Sequence, residues 1–177
     1  MEQASANDRG RHRLLLLARH GKAAPKDVGL TDFETILTEA GTEECEKVAA
    51  EANAMKLSVD LMLSSPADRA LETAHLFARR LAYPVQKIQI AEILYTAGSI
   101  RPLVAHIRHL DSRAHTVAIF GHNPLLEDLV THFVIGFSQN LPKGAVAGIE
   151  FETASWADVA KGRGQLLFFL TPQGRDI

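Results

Sequence analysis

The chain has 177 residues, of which 46% are hydrophobic and 23% are charged, and this length suits one globular domain with a substantial core. The 19 Lys and Arg residues nearly balance the 21 Asp and Glu residues, which disfavours binding to nucleic acid or to an anionic membrane. Cys45 is the one cysteine, so an internal disulfide and a four-cysteine zinc site are both excluded. A reducing compartment, and hence a cytoplasmic location, is expected.

The first dozen residues are predicted to form an N-terminal tail outside the folded domain. Residues 1–12 are polar and lack any periodicity, which is typical of a frayed terminus. Residues 13–177 are then expected to form a single domain. The longest apolar run, Leu14 to Ala18, is far too short to cross a bilayer. We therefore expect a soluble monomer that does not enter a membrane.

After the tail, strand patterns alternate with helix patterns. The run from Leu14 to Ala18 is typical of a buried strand in a parallel sheet, and apolar residues between Thr38 and Met55 recur at helical spacing. Further strands are predicted at 60–63, 87–90, 116–120, 145–151 and 165–170, and further helices after Pro66, around 103–110 and at 126–133. This alternation predicts a three-layer α/β/α sandwich with a mostly parallel central sheet and antiparallel edge strands from the C-terminal segment.

Polar side chains follow three of these strands. Arg19 and His20 end the first strand, and His122 ends the strand at 116–120. The second strand ends at Ser64 and Ser65, with Arg69 one turn into the helix that follows. If the three strands are parallel neighbours, these side chains meet at one edge of the sheet. Arginine forks match phosphoryl oxygens, and a neutral imidazole can attack phosphorus. The residues therefore predict phosphoryl-transfer chemistry that needs neither a metal nor a cofactor.

Four segments resemble the histidine phosphatase superfamily, whose members have a phosphoglycerate mutase-like fold, and more narrowly its small SixA-type phosphohistidine phosphatases. The resemblance extends from about Leu14 to Leu170 and depends on RHGKA at 19–23, LTEAG at 37–41, SSPADRALETA at 64–74 and GHNP at 121–124. It implies that His20 is the nucleophile that becomes phosphorylated. It also implies that Arg19, Arg69 and His122 form the phosphate pocket.

The resemblance implies less about the residues around this pocket. Asn123 is expected beside it as a substrate contact, and Glu92 is the candidate acid that would protonate a leaving oxygen. Glu92 is equally well explained as a solvated carboxylate at a strand end. Thr35 stands where the family often has arginine and Glu72 where it often has glutamine, which affects substrate contacts rather than the catalytic core.

Several other polar residues have structural explanations. Ser64 and Ser65 lack a nucleophile-elbow motif and are expected to cap the following helix or its turn. His106 and His109 have the i, i+3 spacing of a metal pair, but no third ligand motif lies near them, so they are interpreted as surface residues. Cys45 lies on an apolar helix stripe and is expected in the core.

Three functions remain open from the sequence. The first is dephosphorylation of phosphohistidine on a signalling protein, and the loops around the pocket, Lys22 to Leu37 and Tyr95 to Pro102, are short enough to admit such a partner. The second is hydrolysis of a small phosphomonoester, for which Glu92 would have to act as proton donor. The third is a non-catalytic phosphate-binding module.

Overall fold

The structure, a computed structural model, describes residues 10–25 and 31–176. Seven strands and five α-helices are distinguished in these residues. The strands are β1 His12–Arg19, β2 Leu61–Ser64, β3 Gln89–Ile90, β4 Thr116–Gly121, β5 Val146–Glu152, β6 Gly164–Thr171 and β7 Gly174–Asp176. The helices are α1 Glu39–Ala54, α2 Asp68–Arg80, α3 Ile93–Thr96, α4 Ile100–Arg108 and α5 Leu125–Phe133, with 3₁₀ turns at Val85–Lys87 and Trp156–Asp158.

The strands form one mixed sheet in the order β3-β2-β4-β1-β5-β6-β7. The four strands β3, β2, β4 and β1 run parallel, whereas β5, β6 and β7 are antiparallel to their neighbours. Crossover helices connect the parallel strands, and the C-terminal strands follow each other as hairpins. The predicted α/β/α sandwich is confirmed, including the antiparallel strands from the C-terminal segment.

Two hydrophobic cores lie on opposite faces of the sheet. Because side chains alternate along a strand, β1 sends Leu15 and Leu17 to the core formed with α4 and α5, and Leu16 and Ala18 to the core formed with α1 and α2. All four side chains are at most 3% exposed. A strand that is buried on both faces needs the continuous apolar run that the sequence shows at this point.

The start of α1 is fixed by local chemistry. The Thr38 hydroxyl caps the helix by accepting a hydrogen bond from the Gly41 amide at 3.0 Å. One turn later, Cys45 is completely buried between α1 and the sheet, as its position on the apolar stripe predicts. Burial raises the pKa of its thiol to about 11, so this side chain behaves as a small apolar residue.

Several boundaries differ from the predicted ones. β1 begins at His12, the last residue of the predicted tail, while residues 1–9 lie outside the described residues. The loop from Lys22 to Leu37 is described except for 26–30. The strand predicted at 87–90 is reduced to two residues after a 3₁₀ turn, because an edge strand needs no long apolar run. Neither α3 nor β7 was predicted, since each is too short to produce a periodic pattern.

No helix within residues 10–25 and 31–176 is long and apolar enough to cross a membrane.

Candidate active site

The predicted site residues meet at the carboxyl ends of β1, β2 and β4. The strand register places Arg19 beside Gly121 and Ser64 beside Phe120, so the three strands end at the same level. The residues that follow these ends therefore share one edge of the sheet. The structure brings His20, Arg19, Arg69 and His122 together there, as the sequence predicts.

The backbone at the end of β1 fixes the orientation of His20. Its side chain is 7% exposed, and its Nδ1 lies 2.8 Å from the carbonyl oxygen of Gly21. A carbonyl oxygen only accepts hydrogen bonds, so Nδ1 carries the ring proton and Nε2 keeps its lone pair. Burial, together with the charges of Arg69 and Arg19 and the neighbouring His122, lowers the pKa of His20 to about 3. The ring is neutral at pH 7 and its Nε2 is available as a nucleophile.

Gly21 and Thr73 connect this loop to α2. The Gly21 amide donates to the Thr73 hydroxyl at 3.1 Å, and that hydroxyl donates to the carbonyl oxygen of Arg69 at 2.7 Å. A Cβ atom on Gly21 would lie 2.5 Å from the sulfur of Cys45, so only glycine fits in this loop without displacing α1. One hydroxyl on α2 thereby sets the distance between the loop of His20 and the helix of Arg69.

His122 faces His20 across the site. The two ring centroids lie 5.0 Å apart with the planes tilted by 53°. Ser65 lies 2.8 Å from Nε2 of His122 through its Oγ, while the buried Nδ1 has no partner among the described residues. With the Ser65 hydroxyl donating to Nε2, Nδ1 carries the proton and can donate it to an incoming oxygen. Burial and the charge of Arg69 lower the pKa of His122 to about 4, so this ring is also neutral at pH 7.

Ser65 is thus more than the turn residue that the sequence suggested. Its Oγ does accept from the Ala67 amide at 3.4 Å, which fits a turn role. Its bond to His122 is the part that was not predicted, since 57 residues separate the two. Ser64 is buried and donates to the carbonyl oxygen of Ser65 at 2.9 Å, which is a structural contact.

Arg19 and Arg69 are both held by backbone oxygens. Arg19 donates from Nη1 to the Leu141 carbonyl at 2.8 Å, and its buried Nε has no partner among the described residues. Arg69, 8% exposed, donates from Nη2 to the Asp32 carboxylate at 2.8 Å and from Nη1 to the Asp32 carbonyl oxygen. These contacts orient the guanidinium groups before any ligand binds, which is the arrangement that an oxyanion site requires.

Asn123 fixes the loop behind Arg19. Its Nδ2 donates to the Glu127 carboxylate at 2.8 Å and to the Leu141 carbonyl at 3.1 Å, and the Leu141 amide donates to the same carboxylate oxygen at 2.8 Å. Leu141 also supplies the carbonyl that holds Arg19. The amide nitrogen of Asn123 is therefore engaged, and its buried Oδ1 has no partner in the described part of the chain. The substrate contact expected of Asn123 stays a prediction.

Two openings lead to these residues. A large cleft of about 550 Å³ borders His122 and Asn123, and a small recess of about 250 Å³ borders His20. Leu94, Tyr95, Ala97, Leu125 and Asp128 also line the large cleft, whereas Ala23, Ala24, Thr35 and Lys143 line the small recess. Asp32 and Arg69 line both openings, so their ion pair forms the boundary between them.

Glu92 is the predicted site residue that the structure does not bring into this group. It is exposed and directly precedes α3, where its backbone carbonyl accepts from the Tyr95 amide at 2.9 Å. Neither the large cleft nor the small recess includes Glu92 among its lining residues. Its role as a proton donor stays a prediction.

Sequence reasoning missed Asp32, Tyr95 and Lys143. Each lies in a loop or a one-turn helix, where no periodic pattern marks a residue as facing the site. Among residues 10–25 and 31–176, no group of three or more His, Cys, Asp or Glu side chains is arranged to hold a metal ion. His106 and His109 belong to no such group.

Comparisons with known proteins address the family and the fold. The family model of the histidine phosphatase superfamily (branch 1) matches residues 15–95. A SixA structure from Agrobacterium tumefaciens is 27% identical with a TM-score of 0.74, covering 90% of this chain and 98% of that one. A SixA structure from Nakamurella multipartitia is 20% identical with a TM-score of 0.78, covering 91% and 96%.

A third structure, of the protein histidine phosphatase SixA complexed with tungstate, is 22% identical with a TM-score of 0.77, covering 90% of this chain and 97% of that one. A search of curated proteins gave no match. The family-model match over residues 15–95 and the likeness to the SixA structures support the predicted resemblance to the histidine phosphatase superfamily, and together they indicate a phosphatase. The chain shares the fold of the SixA structures.

Proposed function

We propose that this protein removes the phosphoryl group from phosphohistidine on a partner protein, through a covalent phosphohistidine formed on His20. The observation that carries the proposal is the buried, neutral His20 ring. Its Nδ1 donates to its own loop, and its Nε2 is left among two arginines and a second histidine. This arrangement is suited to a nucleophile that attacks phosphorus without a metal ion.

In the first step, Nε2 of His20 forms a bond to phosphorus while the phosphorus–nitrogen bond of the substrate breaks. The bonding electrons leave with the imidazole of the substrate. Arg19 and Arg69 offset the charge on the equatorial oxygens, and Nδ1 of His122 donates a hydrogen bond to one of them. The Gly21 carbonyl accepts from Nδ1 of His20 throughout, which stabilises the positive charge that develops on the ring.

In the second step, water attacks the phosphoryl group from the side that the substrate imidazole has left. The bond between phosphorus and Nε2 breaks, inorganic phosphate is released, and the proton lost by water passes to phosphate or to solvent. His20 recovers its neutral ring with the lone pair on Nε2. Splitting the transfer in this way replaces one difficult displacement by two easier ones.

A protein-borne substrate is favoured by the shape of the site. The large cleft opens to the surface, and the loop beside it presents Phe33 and Ile36 with 38% and 50% of their surface exposed. Exposed apolar side chains at the rim of an open cleft suit contact with another protein surface. The likeness in fold to the SixA structures also supports this choice.

The test compares phosphate release from a phosphohistidine-bearing protein and from p-nitrophenyl phosphate, in the presence of a chelator. We expect rapid release from the protein substrate by the wild type, an acid-labile phosphoenzyme, and the loss of both in His20→Ala. His109→Ala is the matched control, because His109 is exposed and contacts only its own helix in the described structure. An acid-stable adduct would contradict a histidine nucleophile.

Two other results would select the alternatives. Release mainly from the aryl ester would favour a small-phosphomonoester phosphatase, and Glu92→Gln would then be the next variant, expected to slow turnover strongly if Glu92 is the proton donor. Binding of inorganic phosphate without release from either substrate would favour a non-catalytic phosphate-binding module.

A further inference from the structure

Asp32 lies where a phosphate site would not ordinarily have a carboxylate. It lines both the large cleft and the small recess, and its Oδ2 accepts from Nη2 of Arg69 at 2.8 Å. The guanidinium that should hold a phosphoryl group is thus already engaged by a negative charge. Two anions that share one guanidinium repel each other, so Asp32 opposes the binding of a phosphoryl dianion.

The position of this carboxylate is nevertheless held from several sides. The Tyr95 hydroxyl donates to Oδ2 of Asp32 at 3.4 Å, and the Tyr95 ring packs edge-on against Phe33 with the centroids 5.4 Å apart. The Phe33 carbonyl accepts from the Asp68 amide at 3.0 Å, which attaches the loop to the start of α2. A carboxylate that is held in place despite its charge needs a compensating role at the site.

The charged neighbours of the Asp32 carboxylate and its exposure in the cleft indicate which role it can have. The charged and titratable groups that line the large cleft with Asp32 are Arg69 from α2, Tyr95 from α3, His122 after β4 and Asp128 from α5. In the small recess His20 and Lys143 are added to Arg69. Its side chain is 44% exposed, so it remains accessible to a ligand in the cleft. In an in-line displacement the leaving group departs opposite the attacking nitrogen. Because His20 lines the small recess and not the large cleft, we place the leaving group in the large cleft.

The leaving groups of phosphoimidazole and of a phosphate ester differ, because only the imidazole has a second ring nitrogen that can carry a proton. A phosphorylated imidazole leaves as a neutral ring if its second nitrogen is already protonated, whereas without that proton it must leave as an anion. A carboxylate beside that second nitrogen accepts its N–H and stabilises the protonated ring. A phosphate ester has no such nitrogen, so the same carboxylate offers it only like-charge repulsion.

We propose that Asp32 is a specificity-determining residue, whose carboxylate accepts a hydrogen bond from the protonated imidazole of the substrate and so favours phosphoramidates over phosphate esters. This inference rests on the function proposed above. The proton comes from solvent and binds the ring nitrogen that is not phosphorylated. The phosphorus–nitrogen bond then breaks, its electron pair stays on the departing nitrogen, and phosphorus is transferred to Nε2 of His20.

The test uses Asp32→Asn in the full chain, with phosphoimidazole and p-nitrophenyl phosphate as substrates at about pH 8, where an ordinary imidazole is largely unprotonated. We expect kcat/KM for phosphoimidazole to fall roughly 10-fold or more, and kcat/KM for the ester to rise, because the like charge that opposes its phosphoryl group is gone. The defect should shrink near about pH 6, where solvent protonates the substrate without help. Asp111→Asn, on a distant exposed loop, is the control.

Inhibition by tungstate separates this role from a merely structural one. Removing the competing charge should make tungstate bind more tightly to Asp32→Asn, whereas the loss of a positioning contact for Arg69 would weaken it. Equal losses on both substrates with weaker tungstate inhibition would overturn the specificity role and leave Asp32 as a support for Arg69. Unchanged kinetics on both substrates would overturn it as well.

Failure of the proposed function gives a different result. If the wild type cleaves the ester but neither phosphoimidazole nor the phosphohistidine-bearing protein, both the proposed function and this inference are overturned. If the wild type cleaves phosphoimidazole and Asp32→Asn retains the same preference, the proposed function stands and the inference about Asp32 alone fails.

Discussion

Arg69 shows how much of the candidate site depends on one side chain. It is almost buried on α2, it pairs with Asp32, and it borders both openings to the site. Its guanidinium is therefore oriented by the fold before any substrate arrives. A pre-oriented cation costs no reorganisation during the reaction, which is why such groups contribute strongly to transition-state stabilisation.

Arg69→Ala should lower kcat by a factor on the order of 10² to 10³ while the fold is retained, because an oxyanion donor is lost. Arg80→Ala is the matched control on the same helix, since Arg80 is exposed and makes only a 3.4 Å ion pair with Glu46. Steady-state kinetics on the proposed substrate and circular dichroism would check both points. Normal turnover in Arg69→Ala would contradict its predicted role.

The two site histidines should also make stability depend on pH. Burial lowers the pKa of His20 to about 3 and that of His122 to about 4 from an ordinary 6.5. Below pH 6.5 the unfolded chain binds protons that the folded chain excludes. The histidine contribution to the free energy of unfolding is thus fully present above that pH and is lost as the pH falls toward 4.

We expect each histidine to cost about 1 kcal/mol of stability by about pH 5.5. Urea denaturation at about pH 7.5 and about pH 5.5 measures the loss, and His20→Gln should show a smaller loss than the wild type. His109→Gln, a substitution at an exposed histidine, should lose as much as the wild type. An equal loss in His20→Gln would argue against a buried neutral imidazole at this position.

At the scale of elements, a close backbone contact joins the start of α1 to the loop after His20. A Cβ atom on Gly41 would lie 2.1 Å from the carbonyl oxygen of Lys22, which is a backbone atom and cannot rotate away. The Thr38 amide donates to that same carbonyl at 2.9 Å. The glycine at the end of the LTEAG segment therefore allows α1 to support the loop of the proposed nucleophile.

Gly41→Ala should destabilise the protein by about 1–3 kcal/mol or more, because either α1 or the loop must shift. Activity should fall with it, since the same shift moves His20. Gly98→Ala offers a control for stability without such a contact, because no atom lies within 4 Å of the added Cβ, and its effect should stay within about 0.5 kcal/mol. Thermal melts of the two variants, with kinetics of Gly41→Ala against the wild type, would decide the point.

At the scale of the whole molecule, the two ends of the parallel strands differ in what they contribute. The carboxyl ends of the parallel strands carry the candidate site, whereas Arg13 lies buried near the other end of β1, only 2% exposed. Its guanidinium donates to the Ser112 carbonyl at 2.9 Å and to the Ala154 carbonyl, and it contacts Nδ1 of His115 at 3.0 Å. Arg13 thus joins β1 to the segments before β4 and after β5.

Arg13→Met should therefore lower stability without altering the reaction. We expect a loss on the order of 3 kcal/mol, because several buried acceptors lose their donor together. At a temperature where the variant stays folded, kcat/KM should match the wild type. Arg108→Met removes an exposed arginine that donates to one carbonyl, and it should cost far less. A large drop in kcat/KM for folded Arg13→Met would show that the two ends of the sheet are coupled.

The fold and the central residues of the site were predictable from the sequence, for a physical reason. Burial on both faces of a central strand demands a continuous apolar run, and burial on one face of a helix demands apolar residues at helical spacing. These patterns mark where β1, α1, β4 and α5 lie. They also mark where each strand ends, which was enough to predict that Arg19, His20 and His122 share one edge.

Only the tertiary structure decided how these side chains are held and what surrounds them. Asp32 reaches Arg69 across 37 residues, and Ser65 reaches His122 across 57. Such contacts depend on the path of loops and on rotamers fixed by packing, neither of which leaves a periodic trace in the sequence. The exposed position of Glu92 was likewise decided by the fold. Glu92 directly precedes the one-turn helix α3, and the sequence does not predict the direction in which so short a helix turns the chain.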